Sequence, residues 1–154
     1  MEYRKFRVKV KSIDLDVLYD SLLLSKDISN RFRHDGIVFF HYRPLNAHFS
    51  VERVGDIGLL VTVDLPHVTD YVVTKIKREL RTLYIIKVLM DAARVVSVKP
   101  KLRASKPIIV KYDGKLVIEL SRSSELKIAY DKPETLHAVL GSVDMSKIAL
   151  HPIN

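Results

Sequence analysis

An α+β fold, with antiparallel sheets packed against one long helix, is what this sequence predicts, and two observations lead to it. Residues 64–96 carry the longest helical periodicity in the chain, and shorter stretches on both sides alternate between apolar and polar residues, as half-buried strands do. The expected order of elements is β-α-β-β-β-α-β-β-β-α-β. A length of 154 residues with 47% hydrophobic residues suits one domain over residues 1–154.

The first strand is predicted over residues 3–11. Apolar residues alternate there with a row of cations, Lys5, Arg7, Lys9 and Lys11. Such a row suits contact with a phosphate backbone. It is equally typical of an edge strand whose lysines prevent aggregation, so the sequence leaves both interpretations open.

A short leucine-rich helix follows, and residues 25–36 are then expected to form a loop. Within this loop Arg31 and Arg33 flank Phe32, a motif that fits backbone contacts combined with base stacking. The alternative is that the phenylalanine folds back into the core and the two arginines are solvated.

Three strands are predicted over residues 37–43, 47–54 and 57–65. Pairing the first two around a short turn brings apolar residues opposite one another on one face. The expected pairs are Val38 with Val51, Phe40 with Phe49, and Tyr42 with Ala47.

The other face of this hairpin carries Phe39, His41 and Arg43 beside His48. A ring beside imidazoles and a guanidinium on an open sheet suits base stacking, whereas a helix over this face would make Phe39 ordinary core. The third strand leaves the choice open. Its alternating apolar row falls on this face after a two-residue turn and on the opposite face after a bulge.

The long helix is amphipathic, with a buried side of Val68, Val72, Ile76, Leu80 and Leu83. Its opposite side presents Lys75, Arg78 and Arg81, which are candidate phosphate contacts. Asp64 is expected to cap the start, with Pro66 in the first turn, where its missing N–H has no helical partner to lose. Residues 94–98 already fit a strand.

Residues 83–90 are apolar nearly all round, apart from Lys87. Such a helix segment is expected to have contacts on several sides or with a partner chain. Tyr84, Ile86 and Met90 are therefore candidate interface residues for a homo- or hetero-oligomer.

Residues 99–107 contain two prolines, which argue against a helix and against a central strand. An exposed, extended connector is expected, and it serves as a candidate phosphate-binding arm, although an ordinary loop has a similar composition. Its cations are Lys99, Lys101, Arg103 and Lys106.

Residues 108–130 predict a three-stranded meander whose first turn is formed by Asp113 and Gly114. A short helix closed by Gly141 and a last strand near Leu150 are expected to follow.

The net charge of +8 is unevenly distributed along the sequence. Residues 1–106 hold 20 Lys+Arg and 12 Asp+Glu, whereas residues 107–154 hold 6 of each. A localised basic field attracts phosphate polymers, so the basic portion is expected to bind and the neutral portion to be structural.

The patterns of common catalytic and metal sites are missing from the sequence. It contains no cysteine, and its five glycines are scattered singly, without the spacing of a nucleotide-binding loop. Only His41 and His48 are expected to meet, and they make a weak metal site even with Asp64 or Glu52 as a third ligand. We therefore predict no catalytic residue, no metal and no cofactor.

These observations together predict a non-catalytic protein that binds DNA or RNA by charge neutralisation, with little sequence specificity. The alternatives are a cellular or viral assembly subunit and a small-ligand-binding fold with a cavity between sheet and long helix. A cytoplasmic protein without membrane contact is expected, because no apolar segment approaches the roughly 18 residues of a membrane helix. The lack of glutamine and cysteine favours a thermophilic source.

Overall fold

The computed structural model describes residues 1–121 and 124–154, and these residues cluster into two compact units. Met1–Lys11 and Ile85–Asn154 form the first unit, and Ser12–Tyr84 form the second. Each unit contains an antiparallel sheet of its own, so the predicted α+β class is confirmed. The sequence predicted one domain with a basic portion up to residue 106 and a neutral portion after it. Neither boundary between the two units lies at residue 106.

The first unit is built on a six-stranded sheet. Its strands are β1 (Glu2–Val10), β6 (Lys101–Ala104), β7 (Ile108–Tyr112), β8 (Leu116–Leu120), β9 (Glu125–Tyr130) and β10 (Ile148–Ile153), in the spatial order β10-β1-β9-β8-β7-β6. The predicted meander and the predicted last strand are confirmed as β7 to β9 and β10. Because β1 pairs with β10 on one side and β9 on the other, the edge-strand interpretation of its lysines is wrong. The edge strands are β10 and β6, and β6 lies within the predicted connector.

One face of this sheet is the core of the first unit. Its buried side chains include Phe6, Val8, Val110, Leu116, Ile118, Leu126, Ile128 and Ile148. Helix α3 (Pro133–Ser142) contacts β9 and the 3₁₀ helix Ala93–Val96. It runs through Gly141, which has no positive φ, so the prediction that this glycine closes the helix is wrong. The buried Tyr112 hydroxyl has no hydrogen-bond partner in the described part of the chain, and burial raises its pKa to about 12.

The second unit is built on a four-stranded sheet and two helices. Its elements are α1 (Leu15–Ser21), β2 (Ile28–His34), β3 (Ile37–Tyr42), β4 (Ala47–Val54), β5 (Gly58–Val63) and the first part of α2 (Asp70–Ala92), with strands in the order β2-β3-β4-β5. All three predicted pairs between β3 and β4 are confirmed.

The turn between β4 and β5 decides where the apolar row of β5 lies. Val54 pairs with Gly58, which leaves three residues in the turn. The additional residue turns the row toward the same face as Phe49 and Val51, where Val61 is buried. Gly58 is required at this corner, because an added Cβ would lie 2.4 Å from the carbonyl oxygen of Val54.

The predicted loop over residues 25–36 is wrong, since most of it forms β2. The pairing of β2 with β3 is irregular between Ser29 and Phe32, where Asn30 has a φ of 52°. This irregularity interrupts the alternation of apolar and polar residues by which a strand is recognised in sequence.

Both predicted ends of the long helix are also corrected. Helix α2 begins at Asp70, and the carboxylate of Asp64 is held by β4 instead of capping a helix. It accepts hydrogen bonds from the His48 backbone N–H at 3.0 Å and from His48 Nδ1 at 3.1 Å. After Ala92 the chain continues as a 3₁₀ helix to Val96, so residues 94–98 do not form a strand.

Two of the three predicted interface residues belong to the core. Tyr84 and Ile86 are 0% exposed, and Met90 is half-buried. The Tyr84 hydroxyl donates a hydrogen bond to the Ser12 carbonyl at 2.8 Å and accepts one from the Asp14 N–H at 2.9 Å. A partner chain cannot reach Tyr84 or Ile86, so the predicted interface through them is wrong.

Candidate nucleic-acid interface

The second face of the six-stranded sheet is open. Directly opposed residues of neighbouring strands share a face, so the register identifies every side chain on it. Lys5 of β1 lies opposite Lys127 of β9, which in turn lies opposite Glu119 of β8, and Glu119 lies opposite Ile109 of β7. All four side chains are therefore on this face. None of the described residues on this face is buried, whereas the opposite face is buried over its centre and exposed only toward its strand ends and edges.

Cations dominate this face, which we call the basic face. They are Lys5, Arg7, Lys9, Lys101, Arg103, Lys111 and Lys127, against the acidic residues Glu119 and Glu125. Within the described ranges none of these seven cations forms an ion pair. Glu119 lies opposite Lys127 and Glu125 lies opposite Arg7, so the protein offsets only part of this charge. The basic face is therefore an uncovered surface with an excess of positive charge.

Two pairs of lysines lie directly opposite each other on the basic face, Lys5 with Lys127 and Lys101 with Lys111. Like charges in directly opposed positions destabilise a sheet, by about 0.2–1 kcal/mol in the range measured for cross-strand pairs. Lys101 and Lys111 are both exposed, and neither has an acidic residue directly opposite. Lys127 is half-buried and also lies opposite Glu119 on β8, which offsets part of its repulsion with Lys5.

Tyr3 adds an aromatic ring to the basic face. Its side chain is 54% exposed, and the ammonium group of Lys127 lies 4.4 Å from the centre of its ring. His151 lies on the same face, opposite Arg7. The sequence predictions did not include Tyr3, Lys111, Lys127 or His151 among the binding residues.

The two units differ strongly in charge. The first unit holds 17 Lys+Arg and 8 Asp+Glu, a net charge of +9, whereas the second holds 9 and 10, a net charge of −1. Charge counts for residues 1–106 and 107–154 do not show this difference, because the second unit lies entirely within residues 1–106. The positive field thus belongs to the unit that carries the basic face.

Three other predicted cations of the first unit lie beside this face. Lys11 follows β1, and Lys99 and Lys106 flank β6, all three exposed. Together with the residues on β1 and β6, they are the predicted phosphate contacts that the fold brings to one unit.

Arg31 and Arg33 belong to the second unit and are engaged with α1. Arg31 Nη1 donates to the Tyr19 carbonyl at 2.6 Å, and its guanidinium lies 3.9 Å from the centre of the Tyr19 ring. Arg33 pairs with Asp16. These contacts hold both guanidinium groups against their own unit.

Phe39, His41 and Arg43 are placed by β3 and the turn after it. Phe39 stacks on Phe32 with ring centres 4.7 Å apart, and Phe32 is 54% exposed. No helix of the second unit buries this face, on which Phe39 and His41 are half-buried. Arg43 Nη1 donates to the Lys26 carbonyl at 3.0 Å.

Lys75, Arg78 and Arg81 occupy the part of α2 that belongs to the second unit. Lys75 and Arg78 are exposed, and Arg81 Nη2 donates to the Ile57 carbonyl at 3.2 Å. Their unit has no excess of positive charge, and they belong to a different unit from the basic face.

His41 and His48 meet as expected, with ring centres 5.0 Å apart. His41 Nε2 lies 2.8 Å from Asn46 Oδ1, and His48 Nδ1 is held by Asp64. The hydrogen bond from the His48 backbone N–H is the largest cause that lowers the pKa of Asp64. Across the residues that the structure describes, no group of three or more His, Asp or Glu side chains is arranged to hold a metal ion.

A polar depression of about 280 Å³ lies in the second unit, beside the N-terminus of α1. Its lining is Ser12, Asp14, Leu15, Asp16, Arg33 and Arg53. Charged groups of both signs line it, and this is not the apolar cavity between sheet and helix that a small-ligand-binding fold requires.

Comparison with known proteins adds no constraint on function: no family model, no curated protein and no solved structure matches the chain. Considering residues 1–121 and 124–154, none of the helices combines the length and the apolar character needed to cross a bilayer.

Proposed function

We propose that this protein binds DNA or RNA through the basic face of its first unit and catalyses no reaction on it. The observation that carries the proposal is the convergence of seven cations from β1, β6, β7 and β9 on one uncovered sheet face. Concentrated positive charge on one face attracts phosphate polymers and releases their counterions on binding.

The opposed lysine pairs support binding over mere solubility. Solubility requires only charges of mixed sign spread over the surface. Repulsion between Lys101 and Lys111 lowers the stability of the sheet in the absence of a partner, and so does that between Lys5 and Lys127, although Glu119 opposite Lys127 offsets part of the second. A polyanion lying over both members of a pair converts this repulsion into attraction.

The expected mode of binding has little sequence preference. Lysine and arginine on a flat face reach phosphate oxygens, and phosphate contacts carry no direct sequence information. The proposal includes a cytoplasmic location, where nucleic acid is available as a partner.

The test is a fluorescence anisotropy titration against labelled DNA and RNA over a series of salt concentrations, with heparin as competitor. If all seven cations contact phosphates of a duplex, the slope of log K against log salt approaches about −6, from roughly −0.9 per contact. Replacing Lys5, Lys9 and Lys111 by serine is expected to reduce the magnitude of the slope by about 3.

The matched control replaces Lys26, Lys75 and Arg78 of the second unit by serine, which removes the same charge outside the basic face. We expect this control to keep the slope of the unmodified protein. Equal losses in both variants, equal capture by heparin, or no binding at low salt would each contradict the proposal.

A further inference from the structure

We propose that the nucleic acid bound by the basic face is a duplex, contacted on both of its backbones across one groove. This inference rests on the function proposed above and names the form of its partner. It is based on the arrangement of the seven cations and on the side chains between them.

The cations of the basic face form two clusters. The β1–β9 cluster consists of Lys5, Arg7, Lys9 and Lys127, with one carboxylate, Glu125, opposite Arg7. The β6–β7 cluster consists of Lys101, Arg103 and Lys111. At a strand spacing of about 4.8 Å, the clusters lie about 10 Å apart from β9 to β7 and about 19 Å apart from β1 to β6. Along β1, Lys5 and Lys9 are separated by about 14 Å, so the cluster is a row parallel to the strand.

The strip between the clusters is not basic. Its outward side chains on β8 are Val117 and Glu119, and Ile109 lies beside Glu119 on β7. A phosphate backbone over this strip would meet the Glu119 carboxylate and apolar surface. The charge pattern therefore favours two separated lines of phosphates over a single line through the centre of the face.

A duplex presents two lines of phosphates at this separation. The major groove of B-form DNA is about 12 Å wide and admits at most a helix or a two-stranded ribbon. A six-stranded sheet is too wide to enter it. The sheet instead lies over the groove, with one cluster on each bordering backbone.

The scarcity of aromatic rings argues against a single strand. Proteins that bind single strands stack successive bases on aromatic side chains. Tyr3 is the only tyrosine or phenylalanine on the basic face among residues 1–121 and 124–154, and Lys127 lies over its ring. The imidazole of His151 is the other ring on this face within the described residues, and it lies opposite Arg7, four residues along β1 from Tyr3. At about 3.4 Å per residue the two rings are more than about 13 Å apart, so successive bases would not find adjacent rings.

The test compares a duplex with its two separated strands by anisotropy over a series of salt concentrations. One variant, Lys5→Ser with Lys9→Ser, removes two cations from the β1–β9 cluster, and a second, Lys101→Ser with Lys111→Ser, removes two from the β6–β7 cluster. Each is expected to reduce the magnitude of the duplex slope by about 2, and their combination by about 4. Lys26→Ser with Lys132→Ser, two exposed lysines outside the basic face, is the control for charge and is expected to leave the slope unchanged.

Two kinds of failure are distinguishable. Tighter or equal binding of a single strand, or a loss confined to one cluster, overturns the duplex inference and leaves nucleic-acid binding intact. No binding to any of the three probes, each tested as DNA and as RNA, overturns the proposed function itself. Tighter binding of the duplex with similar losses from both clusters supports the inference.

Discussion

Reversing the charge of Lys111 is expected to stabilise the protein and to weaken its binding of nucleic acid. Lys111 lies on β7, directly opposite Lys101 on the edge strand β6 and opposite the uncharged Val117 on β8. In Lys111→Glu the repulsion with Lys101 becomes an attraction. The same change places an anion on the basic face.

The stability gain follows from the cross-strand geometry. Opposed charge pairs contribute about 0.2–1 kcal/mol, and the substitution both removes an unfavourable pair and creates a favourable one. Both side chains are exposed to water, which limits the gain to about 0.5–1 kcal/mol at low ionic strength, and added salt reduces it further. For a chain of this length, that corresponds to a rise in Tm of about 2 °C.

The assay is thermal unfolding followed by circular dichroism, with anisotropy measured on the same samples. Lys101→Glu alone is expected to give a similar gain, whereas the double variant opposes two glutamates and returns to about the original Tm. Each single variant reduces the magnitude of the salt slope by about 1, and the double variant by about 2. Lys132→Glu, an exposed position of the first unit outside the basic face, is the control for net charge and keeps the slope unchanged.

A lower Tm for Lys111→Glu would refute the charge-repulsion reasoning, since it would show that the lysine stabilises the sheet. An unchanged salt slope in all three variants would instead remove the basic face from the binding surface.

Three further predictions concern stability, and unfolding monitored by circular dichroism checks each of them. Tyr84→Phe leaves two hydrogen-bond partners unsatisfied and is expected to lower the free energy of unfolding by about 1–3 kcal/mol. Tyr112→Phe removes a hydroxyl without a partner in the described residues and is expected to be neutral or stabilising by up to about 1 kcal/mol. Similar losses in both variants would contradict this contrast. Gly58→Ala is expected to cost about 1–3 kcal/mol of stability, because the new Cβ would clash with the backbone carbonyl of Val54. Gly141→Ala, in α3, has open space around the new Cβ and is expected to stabilise by about 0.5–1 kcal/mol. A harmless Gly58→Ala would contradict the close contact. Hydrogen bonds from Lys147 and Ser146 lower the pKa of Asp144 to about 2, below its unfolded value of 3.8. The carboxylate therefore stabilises the fold fully above about pH 4, and this stabilisation is lost as the pH falls toward 2. Asp144→Asn should lower the Tm at pH 7 and have little effect at pH 2, and an equal effect at both would rule out this linkage.

Patterns that depend on neighbouring residues were predictable from the sequence. Alternation identified β1, and turn residues together with alternation identified β3, β4 and the meander, including the register of Phe40 against Phe49. Side chains in a strand point to opposite faces in turn, so a buried face leaves its period in the sequence. The open side of β1, with Lys5 and Arg7, was predictable for the same reason.

Features that depend on a distant partner were not predictable. Asp64 has a side chain of the type that caps helices, but its carboxylate is held by His48 in β4, and the helix begins at Asp70. Tyr84 lies in a segment with the apolar character of an interface, but its hydroxyl donates a hydrogen bond to the Ser12 carbonyl and its side chain is buried. In each case a tertiary contact competes successfully with the local preference.

The sequence by itself determined the α+β class, the excess of positive charge and the presence of cations along β1 and the connector. Only the tertiary structure decided which of these cations share a surface. Strand order brings β1 and β6 into one sheet, and register turns Lys5, Lys101 and Lys111 to the same face. Pairing between strands far apart in the chain is set by how the whole core packs, and a local pattern of residues carries no record of it.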